Sequence, residues 1–280
     1  EEIASLIKRW PGMSFFAAPT MVKRLTGDPA IAKADLSNLK AIIYGGAPMY
    51  LADLEDALAV FGPRLAQIYG QGETPMTITA LSKAHHADRN HPNWREHMQS
   101  VGTIRTDVEV RVVDEQDHEL PVGEIGEIVV RGAVVMAGYW NHPEDTARDL
   151  RNGRLHTGDV ATIDAEGRVT IVGRAKDLII TGGFNVYPKE IESEIDAMPG
   201  VVESAVIGVP HADFGEGVTA VVVRDKGASI DEAQVIKGLD GQLAKFKMPK
   251  KVLFVDDLPR NTMGKVQKNV LRETYKDIYK

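Results

Sequence analysis

Two short apolar runs, Lys40-Ala41-Ile42-Ile43-Tyr44 and Leu65-Ala66-Gln67-Ile68-Tyr69, each end directly in a glycine-rich loop. The loops read Gly45-Gly46-Ala47-Pro48 and Gly70-Gln71-Gly72-Glu73-Thr74. Between the runs, Leu51, Leu54, Ala57, Leu58 and Phe61 recur on one face of a helical period, which predicts a helix from Tyr50 to Phe61. Strands alternating with helices make an α/β layer with a parallel sheet, whose strands must all be crossed back to the same edge. Both glycine-rich loops then lie at the carboxyl edge, where ligands bind in open α/β sheets. Ser14–Ala18 reads as a further strand, and Thr20 as the cap of a helix through Leu25, closed by Gly27-Asp28-Pro29.

The rest of the chain changes character twice. Val108–Asp114, Ile125–Val130 and Val169–Val172 are β-branched or alternating runs separated by glycine and acidic turns. They predict a small antiparallel barrel or sheet appended to the α/β layer. After Lys176 a compact α+β domain begins. Pro188 opens a helix over 189–197, Val201–Val209 and Gly217–Val223 are strands, and Ser229-Ile230-Asp231-Glu232 forms a capping box for a helix to Ala244. A strand at Val252–Val255 and a final helix over Val266–Tyr279 complete it. Residues 81–99 carry His85, His86, His91 and His97, but their spacing fits no paired-ligand pattern, so this segment reads as a polar surface excursion.

Composition narrows the function classes. The chain has 280 residues, 43% hydrophobic and 26% charged, as in an ordinary globular protein with room for two domains. A net charge of −7 argues against a nucleic-acid partner, and the absence of cysteine excludes thiol catalysis, thiolate metal sites and disulfides. There is no apolar run long enough for a membrane span, and the default setting is cytoplasmic. The chain opens without Met inside an amphipathic pattern (Ile3, Leu6, Ile7, Trp10) and reads as part of something longer.

One stretch, His156–Ile191, concentrates chemistry: Thr157-Gly158-Asp159, then Gly173-Arg174-Ala175-Lys176-Asp177, then Gly182-Gly183-Phe184-Asn185 leading to Pro188 and Glu190-Ile191-Glu192. In this order the motifs resemble the adenylate-forming superfamily, which holds acyl-CoA synthetases, luciferases and peptide-synthetase adenylation domains. The resemblance implies an α/β fold in which residues 1–175 are the C-terminal part of an AMP-binding domain and 176–280 a mobile domain hinged near Lys176. It also implies ATP, Mg2+ and coenzyme A. Asp159 would accept both ribose hydroxyls, a task that suits one carboxylate, and Arg174 would meet the same ribose. Gly45, Gly46, Ala47 and Pro48 would cover one adenine face and Tyr69 the other, with Gly70 and Thr74 also at the nucleotide. Glu73 would offer a hard oxygen to Mg2+. Gly72 departs from the family's usual Thr, which puts the phosphate contact there in doubt. Phe15, Phe16 and Gln71 would border the acyl pocket, and Gly182 and Gly183 the pantetheine tunnel.

Leu258–Lys265 resembles the family's C-terminal signature, with Lys265 as the catalytic lysine. An ammonium is what the chemistry asks for, because a carboxylate attacking a phosphate gathers negative charge. The nearby Lys245, Lys247, Lys250 and Lys251 could meet CoA phosphates. The implied reaction joins a small carboxylic acid to ATP, giving acyl-AMP, and then to CoA. The last hundred or so residues are most similar to malonyl- and methylmalonyl-CoA synthetases, while Tyr69–Thr74 resembles broader acyl- or aryl-CoA ligases, so a hybrid is one expectation. Two other readings stand beside the synthetase: an adenylation domain that loads a carrier protein, and a catalytically incomplete module recognised by a lysine acyltransferase or deacylase at Lys265. No loop for the β- and γ-phosphates is visible in the sequence, so the 280 residues are not expected to complete catalysis alone.

Overall fold

The computed structural model describes residues 2–47, 49–262 and 264–280. The chain divides into two compact units, Glu1–Ile171 and Val172–Lys280.

The first unit is built on two sheets. The first contains β1 (Met13–Ala17), β2 (Leu39–Tyr44), β3 (Leu65–Tyr69), β4 (Thr79–Leu81) and β5 (Thr103–Ile104) in that spatial order. β1 through β3 are parallel, and β4 and β5 add on antiparallel, so the sheet is mixed rather than purely parallel. Helix Leu51–Phe61 crosses from β2 to β3 and buries Leu54, Ala57, Leu58 and Phe61, the stripe its period prescribes. That face joins Ile42, Tyr44 and Leu65 in one core. Helix Pro19–Thr26 begins one residue before Thr20; its first-turn proline sets the start, and the N-cap Ala18 has no side-chain cap.

The histidine segment is mostly exposed, as expected of a surface excursion, but it is anchored in the core. It forms helices Lys83–Ala87 and Trp94–Gln99, and His86, Trp94, His97 and Met98 are buried. His86 sits between the Ser82 carbonyl (Nδ1, 2.7 Å) and the Tyr44 hydroxyl (Nε2, 2.9 Å). Burial lowers its pKa to about 4, so it is a neutral core histidine.

The second sheet contains β6 (Glu109–Val113), β7 (Gly126–Arg131), β8 (Leu150–Arg151), β9 (Arg154–Ile163) and β10 (Val169–Arg174). Its order is β10-β9-β7-β6, with β8 paired to β9. It is an open sheet and no closed barrel. β7 and β9 change register midway: Glu127 faces Val160, whereas Val129 faces His156. Thr157-Gly158-Asp159 therefore stand opposite the single residue Ile128, a bulge that Gly158 accommodates at φ 67. The division between the units falls inside β10.

The second unit holds the third sheet: β11 (Ile179–Thr181), β12 (Phe184–Val186), β13 (Val201–His211), β14 (Gly215–Arg224) and β15 (Lys251–Val255). β13 and β14 are apolar on both faces because both are covered. Val206, Val218, Ala220 and Val222 pack with helices Pro188–Asp196 and Glu232–Leu239. Ala205, Ile207, Val209 and Val221 pack on the other side with Leu258 and Leu271 of the terminal segment. The second of these helices is capped by Asp231, which exchanges hydrogen bonds with Gln234, and not by Ser229. It stops at Leu239, short of Ala244, where Asp240 turns extended and Gly241 takes φ 79.

Candidate functional site

The carboxyl ends of β2 and β3 are adjacent; the first loop leaves against the backbone of β3, and the second folds tightly on itself. A Cβ added at Gly45 would stand 2.3 Å from the Ile68 carbonyl oxygen. One added at Gly70 would stand 2.6 Å from Met76 Cα and 2.8 Å from the Thr74 carbonyl oxygen. Both positions admit only glycine without backbone movement. Gly46 and Ala47 are half-buried beside them. Pro48 lies outside the described residues.

The bulge in β9 meets this edge. Asp159 is buried, and its Oδ2 accepts from Tyr69 Oη and from Gln71 Nε2, both at 2.7 Å. Gln71 Nε2 also donates to the Thr157 carbonyl at 2.9 Å. The bulge is itself held from behind. Glu127 Oε1 accepts from the Gly158 N–H at 2.9 Å, and its Oε2 lies 3.0 Å from His156 Nδ1. Thr157 Oγ1 donates to the Ile128 carbonyl and accepts from the Asp159 N–H. Segments about ninety residues apart in sequence thus converge on one carboxylate.

Glu73 is half-buried on the loop after β3. The Tyr139 hydroxyl lies 2.8 Å from Glu73 Oε1 and 3.1 Å from Asp149 Oδ2. Burial, and then these two carboxylates, push the Tyr139 pKa well up, so it remains a donor at neutral pH. Thr74 is fully buried, and its hydroxyl turns inward to accept from the Gln71 N–H at 3.2 Å. Gly72 is exposed, and an added Cβ there would have nothing within 4 Å. Phe15 is partly buried against the first core, while Phe16 is 51% exposed on β1. No group of three or more His, Asp or Glu side chains among the described residues could by itself hold a metal ion.

In the second unit, Lys176 is exposed on the 3-10 turn Ala175–Asp177, and Asp177 pairs with Arg272 at 2.7 Å. Arg174, at the end of β10, is half-buried. Gly182 and Gly183 make the tight turn between β11 and β12 with φ 57 and φ 83. Lys265 is exposed on a hairpin in which Asn261 N–H donates to the Lys265 carbonyl and Asn261 Oδ1 accepts from the Lys265 N–H.

Two further residues of this site are absent from the sequence-based candidates: Glu127, which accepts from the Gly158 N–H, and Tyr139, which donates to Glu73. Glu127 had one signal, a carboxylate directly before the apolar run Ile128–Val130. Tyr139 had none, because its partner lies 66 residues away.

The sequence pattern of AMP-binding enzymes matches residues 1–140, and that of the AMP-binding enzyme C-terminal domain matches residues 190–265. The chain belongs to the AMP-binding enzyme family. It is 36% identical to a medium/long-chain-fatty-acid–CoA ligase of Mycobacterium tuberculosis over 281 residues, covering 98% of this chain and 48% of that protein. It is 41% identical to a feruloyl-CoA synthase of an Amycolatopsis species over 260 residues, covering 93% of this chain and 51% of that protein. Among solved structures, ATP-bound MatB from Rhodopseudomonas palustris matches with a TM-score of 0.90 and 56% identity, covering 100% of this chain and 54% of that one. The AMP-binding family chain thus spans about half the length of the curated relatives it matches. No helix among the described residues is long and apolar enough to cross a membrane.

Proposed function

We propose that this chain supplies the adenine- and ribose-facing loops and the lysine domain of an ATP-dependent acyl-CoA synthetase. The observation that carries this reading is the convergence of Tyr69 and Gln71 on the buried Asp159 carboxylate at the carboxyl edge of the first sheet. In the first step a carboxylate oxygen of a small acid attacks the α-phosphorus of ATP. A P–O bond forms, the bond to the β-phosphate breaks, and pyrophosphate leaves. In the second the CoA thiolate attacks the acyl carbon and AMP leaves.

Asp159 and Arg174 take the ribose hydroxyls, and Tyr69 with Gly45, Gly46, Ala47 and Pro48 take the adenine. Gly70 lets the second loop pass close, and Thr74 holds that loop from within, as its buried hydroxyl supports. Glu73 fits Mg2+ as one hard oxygen donor, with phosphate oxygens and water as the others, since the described residues offer no complete ligand set. When bound, the cation neutralises phosphate charge; Tyr139 fixes the Glu73 carboxylate that faces it. Of the acyl-pocket candidates, Phe16 is kept for its exposure, while Phe15 goes to the core and Gln71 to Asp159. Lys265 supplies the cation for the first step and withdraws for the second as residues 176–280 turn about Lys176, bringing Gly182 and Gly183 to the pantetheine. Use of ATP and CoA supports a cytoplasmic setting. The exposure of Lys265 also supports its modification by a lysine acyltransferase, which would remove the charge.

The test is ATP–pyrophosphate exchange by the complete protein with short, aryl and dicarboxylic acids, followed by transfer to CoA or to a holo-carrier protein. Exchange with none of these acids overturns the reading. Exchange followed by transfer to carrier alone replaces the synthetase with a carrier-loading enzyme.

A further inference from the structure

Lys265 sits on a hairpin whose geometry is controlled from outside the hairpin. Leu258 is buried against Leu271 and the β13–β14 face, which anchors the incoming strand. Gln267 N–H donates to the Pro259 carbonyl at 2.7 Å, and Arg260 bridges antiparallel to Val266, which closes the base. Within the turn, Gly264 takes φ 80. A peptide beside a glycine in that region can rotate readily, so the direction of Lys265 depends on what holds the Gly264–Lys265 peptide.

That peptide is gripped at both ends. Its carbonyl, Gly264 O, accepts from Arg260 Nη1 at 2.9 Å. Its N–H, on Lys265, donates to Asn261 Oδ1 at 2.9 Å. The Arg260 guanidinium is in turn fixed by Glu203 on β13, both of whose oxygens accept from Nη2. Both side chains are about three-quarters buried, at 24% and 25% exposure. Arg260 serves the carbonyl and the carboxylate from two nitrogens of one planar fork, a spacing that the single nitrogen of a lysine does not reproduce. β13 is the edge strand of the third sheet, paired along its length with β14 and covered on both faces, so Glu203 ties the hairpin to the packed sheet.

We propose that Arg260 and Glu203 are positioning residues for Lys265: the Glu203–Arg260–Gly264 relay sets the direction in which the hairpin presents its ammonium. This rests on the reading of Lys265 as the cation of the adenylation step. The relay touches no substrate and acts only through Lys265. Misplacing a catalytic group by about 1 Å costs on the order of a hundredfold in rate. Loss of the relay is therefore expected to slow adenylation by roughly 10- to 100-fold while leaving substrate affinity alone.

The experiment compares Arg260→Lys, Glu203→Gln, Lys265→Ala and the double variant Arg260→Lys/Lys265→Ala in the complete protein. Acyl-AMP formation and thioester formation from supplied acyl-AMP are measured separately, with thermal unfolding of each variant. Arg260→Lys and Glu203→Gln are expected to lower kcat of the first half-reaction with KM for ATP and acid changed less than about threefold, and to spare the second half-reaction. Added to Lys265→Ala, Arg260→Lys is expected to cause no further loss. A full-rate Arg260→Lys beside a slow Lys265→Ala overturns the relay and leaves the function standing. Equal loss in both half-reactions, or a further loss on top of Lys265→Ala, shows a merely structural role and also overturns it. A full-rate Lys265→Ala removes the role assigned to Lys265, and the relay with it, while the acyl-AMP formed leaves the synthetase reading standing.

Discussion

Tyr69→Phe removes one atom, the hydroxyl that donates to Asp159 Oδ2 at 2.7 Å, and leaves the ring in the core. A hydrogen bond to a charged group is worth about 1.5–3 kcal/mol net. Asp159 Oδ2 keeps its second donor, Gln71 Nε2, so the cost belongs at the low end, about 1.5 kcal/mol. For a unit of this size that is a fall of roughly 3–6 °C in Tm. The decisive measurement is a double-mutant cycle with Asp159→Ala, read by urea unfolding. Without the carboxylate, the buried hydroxyl loses its charged partner, and replacing it by phenylalanine should then cost less than half as much, or stabilise. An equal cost in both backgrounds would mean that the short contact carries no energy, and the convergence on Asp159 would lose its meaning.

Four further outcomes follow from the same geometry. Lys265→Ala should slow acyl-AMP formation by about two to three orders of magnitude and largely spare thioester formation from supplied acyl-AMP; equal loss in both rejects its role. Gly72→Thr should fold normally, within about 0.5 kcal/mol, because an added side chain meets nothing within 4 Å, whereas Gly45→Ala should lose about 1–3 kcal/mol to the clash with the Ile68 carbonyl; equal urea midpoints would refute the contrast. His86 has a folded pKa of about 4, below its unfolded value, so its contribution is present above about pH 6.5 and lost as pH falls toward 4. Between about pH 7.5 and 4.5 this amounts to roughly 2–3 kcal/mol, and the pH dependence of stability should shrink by that amount in His86→Gln. Residues 172–280, with their own two-faced core, should unfold cooperatively when expressed alone, as calorimetry would show.

The parts of the fold legible in sequence were those where local signals and burial agree. Leu65–Tyr69 is a short, mostly apolar run bounded by breakers, and it forms β3 with the expected ends. The helix ending at Phe61 shows its core face in its own period. Local signals failed where two candidates competed or where the partner was distant. Ser229 and Asp231 both suit a cap, and packing of Val235 and Leu239 chose the later start. His86 looked polar because the Tyr44 hydroxyl that satisfies it comes from another strand, 42 residues away. The same holds for the site. Asp159 could be picked from its turn, but that Gln71 turns toward it, and that Glu127 grips the Gly158 N–H, depends on β7 and β9 lying side by side.

The bulge in β9 places an arithmetic condition on insertions and deletions. On either side of it, odd-numbered residues such as Leu155 and Ala161 face the same core, because three residues opposite one leave the alternation in step. Losing one residue between them would turn one flank over, exchanging the core position of Ala161 with those of Val160 or Thr162 beside it. Losing two would restore the alternation but erase the turn that carries Asp159. The length of this stretch can therefore change only in even steps, and a loss of two removes the turn that presents the carboxylate. The surface turn Asp164–Gly167, a few residues on, carries no such parity, so length variation in this region should collect there and stop short of Thr157.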